Sequence, residues 1–277
     1  MKKAFIIVFL TIVSFILVFP IIFTVSNSFM SNGEISAVYK NIFNTMGTGS
    51  ENTKFILFPR LISFNQYYNV IFKNFDYFNG FWNSCIFVVP SVTGSAVISL
   101  ILAYGFSKFH FRLKELIFYT CIITMLLPYQ VLMIPQYIIM DKAGLTGGIL
   151  SIIIIMLFSP LGVVFLRFFI DKIPDEFIES ARVDGANEYI ILFKIVVPMC
   201  IPAIGTYILI YAIELWSMIE YPIVFLDSEY SYPLALSLSS ISKESIGSAF
   251  ACSVVFTAPI VFVFIIFKDY FIDIIKR

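Results

Sequence analysis

The chain is short of charge. Only 13% of its 277 residues are Asp, Glu, Lys or Arg, where soluble domains carry about 25%. Its 18 basic and 18 acidic residues cancel, and no long run of one sign occurs. Recognition of nucleic acid needs a basic patch, so that class is excluded. One histidine is present, His110, set among Lys108, Arg112 and Lys114. It reads as part of a solvated basic turn, and a metal site needs more ligands than it can supply. The four cysteines, Cys85, Cys121, Cys200 and Cys252, are scattered through apolar stretches. That spacing fits neither a disulfide framework nor a zinc site, and small buried hydrophobes are the better reading. No Gly-x4-Gly-Lys-Ser/Thr stretch occurs, so no P-loop binds ATP here.

Apolar residues are what the chain has in excess: 60% hydrophobic, 32 Phe and a mean hydropathy of +0.94. With Phe everywhere, aromatic content is no argument for sugar stacking. A bilayer core about 30 Å thick needs about 20 mostly apolar residues per helix. Six stretches qualify, at about 4–25, 81–106, 116–140, 147–166, 198–226 and 245–267. The first follows Lys2 and Lys3, runs through Pro20 and exceeds the 7–15-residue apolar core of a secretory signal, so it predicts a retained anchor helix. The predicted fold is all-α: a polytopic transmembrane bundle of six helices, one transmembrane domain over 1–277. Pro20, Pro90, Pro128, Pro135, Pro160, Pro222 and Pro259 fall inside these runs. In a soluble helix each costs about 3 kcal/mol, whereas neighbouring helices in a membrane bundle re-satisfy the freed carbonyls. Breaks this frequent suit a bundle around a cavity.

Loop charges predict the orientation. With the N-terminus inside, twelve of the 18 cationic residues are cytoplasmic, and six (Lys40, Lys54, Arg60, Lys73, Lys142 and Lys243) are outside. The positive-inside rule then places both termini in the cytoplasm of a multi-pass protein of the cell membrane. The outer loops become 30–80 and 227–244.

One cytoplasmic loop, 171–198, is patterned. Pro174 suits a first helical turn, and Asp175 and Glu176 complement its positive end. Phe177, Ile178 and Ala181 supply an apolar side, and Glu179 and Arg182 are spaced to pair. Asp184-Gly185 is a turn with Gly185 as the helix stop. Asn187 is placed to cap a second helix, 188–197, ending at Pro198. The expected product is a cytoplasmic helix-turn-helix at the inner membrane surface. It reads either as a capped connector or as a rigid dock for a partner.

The pattern Glu179-Ser-Ala181-x-x-Asp184-Gly185-Ala186, followed by Ile195-Val-Val-Pro198, resembles the EAA loop of binding-protein-dependent ABC importer permeases, with Ser180 in place of the usual Ala. The likeness continues in Phe81-Trp-Asn83-Ser84, Ala103-Tyr104-Gly105-Phe106-Ser107-Lys108-Phe109, Leu127-Pro128-Tyr-Gln130-Val-Leu-Met-Ile-Pro135, and Phe165-Leu-Arg167-Phe-Phe before Ile173-Pro174. These span roughly 80–225 and resemble the carbohydrate branch, the maltose-type second permease and its multiple-sugar and glycerol-phosphate relatives. Two stretches depart from it. Trp216-Ser217-Met218-Ile219 then Glu220-Tyr221-Pro222 stands for a Trp-Asn-acidic-Phe pattern, and Phe271–Arg277 replaces a Gly-rich basic tail.

The resemblance implies a carbohydrate permease working with a homologous second permease, two ATPase subunits and an extracytoplasmic solute-binding protein. ATP and Mg then sit on the ATPases, and this chain holds no cofactor and no catalytic or metal site. Glu179, Ala181, Arg182, Asp184 and Gly185 become the ATPase-coupling residues, and Asn83, Glu214, Trp216, Ser217 and Glu220 the candidate substrate pathway. Acids at membrane depth are costly and mark candidate functional sites. Glu214 stands about 24 Å along a helix begun near Pro198, and on one continuous helix Glu214 and Glu220 point about 120° apart, not as a pair. The rival classes are an ion-coupled secondary transporter and a purely structural membrane subunit. The former calls for inverted repeats and more intramembrane titratable groups than this chain shows.

Overall fold

The computed structural model describes residues 2–45, 58–73, 75–239 and 246–276. Parts of both expected outer loops, 46–57, 74 and 240–245, lie outside the described residues. In chain order the helices are α1 (Lys2–Ser28), α2 (Asn32–Thr45), α3 (Asn65–Tyr68), α4 (Phe75–Lys108), α5 (Lys114–Leu126), α6 (Tyr129–Lys142), α7 (Ile149–Met156), α8 (Pro160–Ile170), α9 (Asp175–Val183), α10 (Glu188–Ile191), α11 (Val197–Trp216), α12 (Glu220–Phe225), α13 (Leu234–Ser239) and α14 (Ile246–Lys276). Among the described residues, five helical stretches are long and apolar enough to cross a bilayer: Lys3–Ser28, Phe75–Lys108, Ile149–Ile170, Glu188–Trp216 and Ile246–Ile272. The predicted all-helical membrane bundle is what forms.

The sixth stretch differs from expectation. The run 116–140 forms two helices, α5 and α6, bent by 109° at Leu127–Pro128, and together they are apolar enough for one broken span. Pro128 forces its predecessor out of helical geometry, and Leu127 is extended at ψ 139°. At 1.5 Å per residue each arm reaches only about 20 Å, so neither alone crosses about 30 Å of hydrocarbon. The fourth run is also interrupted, at Leu157–Ser159 between α7 and α8.

Pro198 does not end the helix begun at Glu188. α10 passes through a π-helical segment, Leu192–Val196, straight into α11. Proline removes an N–H and clashes with the carbonyl four residues back, and one wide i→i+5 turn absorbs that without breaking the rod. The second half of the predicted surface hairpin is therefore the start of the fifth span. That span stops at Trp216 rather than near 226, and α12 follows a break.

The chain divides into two compact units. The first comprises Met1–Phe81 and Leu234–Pro259. Its α2 opens with a capping box: the Ser31 backbone N–H donates to the Glu34 carboxylate (3.2 Å) and the Glu34 N–H to the Ser31 hydroxyl (3.4 Å). Buried Asn27 accepts from Tyr39 at 2.8 Å, and Ser28 shares a 2.7 Å hydrogen bond with Tyr67. These bonds satisfy polar groups that would be costly to bury alone. The apolar face of α1 is open.

The second unit comprises Trp82–Pro233 and Ile260–Arg277. Small residues let its helices approach. Ser91, Ser95 and Ser99 form a buried row on α4 at i, i+4 spacing. Opposite them stands Gly162 of α8, where a Cβ would lie 2.5 Å from both Ser99 Oγ and the Tyr207 ring. Tyr207, from α11, shares a 2.7 Å hydrogen bond with Ser95, so three helices meet on this contact. Cys121 and Cys200 are buried free thiols, as is Cys252 in the first unit; Cys85 is half-buried.

Candidate coupling element and transport cavity

α9 follows Pro174 with Asp175 and Glu176 in its first turn, and it buries Ile178 beneath it. It closes in a Schellman motif: Ala186 N–H donates to the Ala181 carbonyl (2.9 Å) and Gly185 N–H to the Arg182 carbonyl (3.0 Å). Gly185 has φ +84° there, a conformation costly for any side chain with a Cβ. Asn187 Oδ1 accepts from Ile190 N–H at 2.9 Å and starts the next helix.

One predicted pair is not made. Arg182 does not meet Glu179; its Nε donates to Glu188 Oε1 at 2.8 Å, across the glycine turn. Glu179 is exposed, with no hydrogen bond or ion pair among the described residues, and Asp184 is exposed beside the turn. Phe177, Val183, Tyr189 and Phe193 are also exposed, Val183 at 88%. The element presents three exposed carboxylates, Glu176, Glu179 and Asp184, amid apolar side chains.

Both ends of α9 are fastened to the last turn and a half of α4. Lys108 Nζ donates to the Ile173 carbonyl at 2.6 Å and to Asp175 Oδ1 at 2.7 Å. Its side chain is 7% exposed, so Lys108 is not a solvated member of a basic turn. That hydrogen bond and charge hold the Asp175 carboxyl below its usual range. One turn earlier Tyr104 donates to Glu188 Oε2 at 2.6 Å, the same carboxylate that receives Arg182. Beyond the clamp, Arg167 of α8 pairs with Glu115 of α5 at 3.2 Å and lies 3.8 Å over the Phe118 ring. The coupling element is thus continuous with α4, and α8 with α5, through charged contacts.

At its other end this unit holds a cavity of about 460 Å³. Glu214, Ser217 and Glu220 all line it, joined by Tyr129, Gln136, Ser159, Tyr211 and Tyr221. Separating Glu214 from Glu220 by 120° assumed one helix. The break after Trp216 turns the chain so that both acids face the same space. Glu220 accepts from Tyr129 at 2.9 Å, and Tyr221 donates to Gln136 at 3.0 Å. Trp216 is buried and is not among the lining residues. Asn83 donates to the Tyr230 (2.6 Å) and Tyr232 (3.2 Å) carbonyls, which fixes a loop away from this cavity. Tyr129 and Gln136 were readable only as neighbours of Pro128 and Pro135, two prolines that mark the corner and the helix beyond it.

The chain is similar to known transport proteins along nearly its whole length. Residues 95–277 match the family model described as binding-protein-dependent transport system inner membrane component. The arabinooligosaccharides transport system permease protein AraQ of Bacillus subtilis is 27% identical over 218 residues, 78% of each chain. The lactose transport system permease protein LacG of Rhizobium radiobacter is 25% identical over 261 residues, 90% of this chain and 93% of LacG. Among solved structures, a chain of a bacterial ABC transporter that imports the acidic polysaccharide alginate superposes with a TM-score of 0.80 at 24% identity, covering 98% of this chain and 96% of that one. The fold is therefore that of an importer permease. With the family model covering well over half of it, the chain belongs to the binding-protein-dependent transport system inner membrane components, the permease subunits of ABC importers.

Proposed function

We propose that this chain is one of two permease subunits of a carbohydrate importer driven by ATP hydrolysis on separate subunits. The other members of the assembly are a homologous permease, two ATPase subunits and an extracytoplasmic solute-binding protein. The single observation that carries the reading is α9: a capped helix whose free Glu179 and apolar neighbours face outward, while both its ends are tied into α4. A dock fastened in this way transmits a rigid-body push, as alternating access requires. Glu179 meets a basic group on the ATPase, and Gly185 allows the sharp return of the chain. The excess of cationic residues on the α9 side supports a cytoplasmic position for both termini.

The carbohydrate assignment draws on relatives whose names specify arabinooligosaccharides and lactose. Glu214, Ser217 and Glu220 mark this chain's wall of the substrate route. The test is ATP hydrolysis by the reconstituted assembly, screened across oligosaccharides. At least one saccharide presented on the binding protein raises turnover. Solute movement driven by an ion gradient, with no nucleotide-hydrolysing companion, contradicts the proposal.

A further inference from the structure

Three separate breaks in the helical framework open onto one cavity. Leu127 and Tyr129 flank the α5–α6 corner, Phe158 and Ser159 form the α7–α8 break, and Ser217 and Met218 the α11–α12 break; all six line it. Non-helical backbone at membrane depth persists only where it is buried in protein or borders a wet space, because its freed N–H and C=O groups need partners. A packing defect between greasy helices is lined by apolar side chains and stays dry. This space instead holds two carboxylates, an amide and several hydroxyls, and its volume falls within the range of about 300–1,000 Å³ typical of small-molecule sites.

The lining also defines the ligand. An ionised carboxylate only accepts hydrogen bonds. Glu214 has no hydrogen bond or ion pair among the described residues, so its acceptor capacity is free. Glu220 has taken the Tyr129 hydroxyl and the Ile219 N–H. Gln136 accepts from Tyr221 through its carbonyl, which leaves its amide hydrogens to donate. The complementary partner is therefore rich in hydroxyl groups. No Lys, Arg or His lines the cavity, so nothing there neutralises an anion. Bringing like charges together is unfavourable.

We propose that this cavity is a saccharide subsite within the chain itself, which takes a neutral, hydroxyl-rich sugar unit and rejects uronate-type anionic ones. The proposal rests on the importer reading and adds a selectivity step inside the membrane, independent of the binding protein.

The test uses the full assembly in lipid nanodiscs carrying Ser217→Cys or, as a second probe, Gln136→Cys. The rate of maleimide labelling is measured above that of the parent chain, with arabinotriose, maltotriose, cellotriose or trigalacturonate added. At least one neutral trisaccharide slows labelling by about fivefold or more and trigalacturonate by less than about twofold, and Glu214→Gln/Glu220→Gln narrows that gap. Equal protection by trigalacturonate overturns the proposal, as does a gap unchanged in the double variant. No protection in an assembly that still moves a neutral trisaccharide with ATP overturns the subsite and leaves the importer reading standing. An assembly that moves no saccharide with ATP overturns both.

Discussion

The Tyr104 hydroxyl donates a 2.6 Å hydrogen bond to Glu188, 84 residues further along the chain. One turn below, Lys108 reaches Asp175, so α4 grips the coupling element at both ends. Hydrogen bonds to charged groups are stronger than neutral ones, and these two tie α9 and α4 together so that they move as one. Tyr104→Phe keeps the ring and removes the bond. It is expected to leave membrane insertion intact and to lower the amount of sugar moved per ATP hydrolysed, and pairing it with Lys108→Met lowers that ratio further. Vesicle uptake measured alongside phosphate release checks this.

Asp175 titrates below the usual carboxylate range because Lys108 stabilises its charged form. A depressed carboxyl contributes stability that is present above its unfolded value, about 3.9, and is lost as pH falls through the lower folded value. The clamp is therefore intact throughout pH 5–8. Asp175→Asn should reduce coupled transport by the same factor at every pH in that interval. A pH profile whose shape changes in the variant contradicts this.

Gly185→Ala places a Cβ at φ +84° and costs roughly 1 kcal/mol, so it weakens coupling without abolishing it. Gly185→Pro also loses the N–H that reaches the Arg182 carbonyl and cannot adopt a positive φ. It should abolish stimulated ATP hydrolysis in protein that still inserts. Comparing the two variants in one assay separates strain from loss of the turn.

Gly162→Ala tests the packing that carries motion from α8 to α4 and α11. The added methyl falls 2.5 Å from Ser99 Oγ and from the Tyr207 ring. Overpacking of this kind costs about 1–3 kcal/mol, read as a lower unfolding midpoint of the purified chain. An unchanged midpoint would show that the three helices part without cost.

Much of this was legible in residues whose effects are local. Asp175, Glu176, Gly185 and Asn187 act within a turn of their own positions: the two acids stand in the first turn of α9, Gly185 makes the stop and Asn187 the cap. The capping box at Ser31 and Glu34 is equally local. What stayed hidden depends on how breaks redirect the chain. Hydropathy does not distinguish a straight span from the corner at Pro128, since both are equally apolar. It gives no sign that Pro198 sits in a continuous rod, because the π turn that absorbs it is a backbone adjustment. The meeting of Glu214 and Glu220 follows from the stop at Trp216, the partner of Arg182 from the turn at Gly185, and the partners of Lys108 from contacts across the fold.

The most direct test is binding-protein-stimulated ATP hydrolysis in the reconstituted assembly with Glu179→Lys. Reversing this outward, unpaired charge in the middle of α9 should eliminate stimulation while the chain inserts and folds as before. Full stimulation by loaded binding protein in that variant would contradict the account, because the motor would then not enter the membrane through this helix.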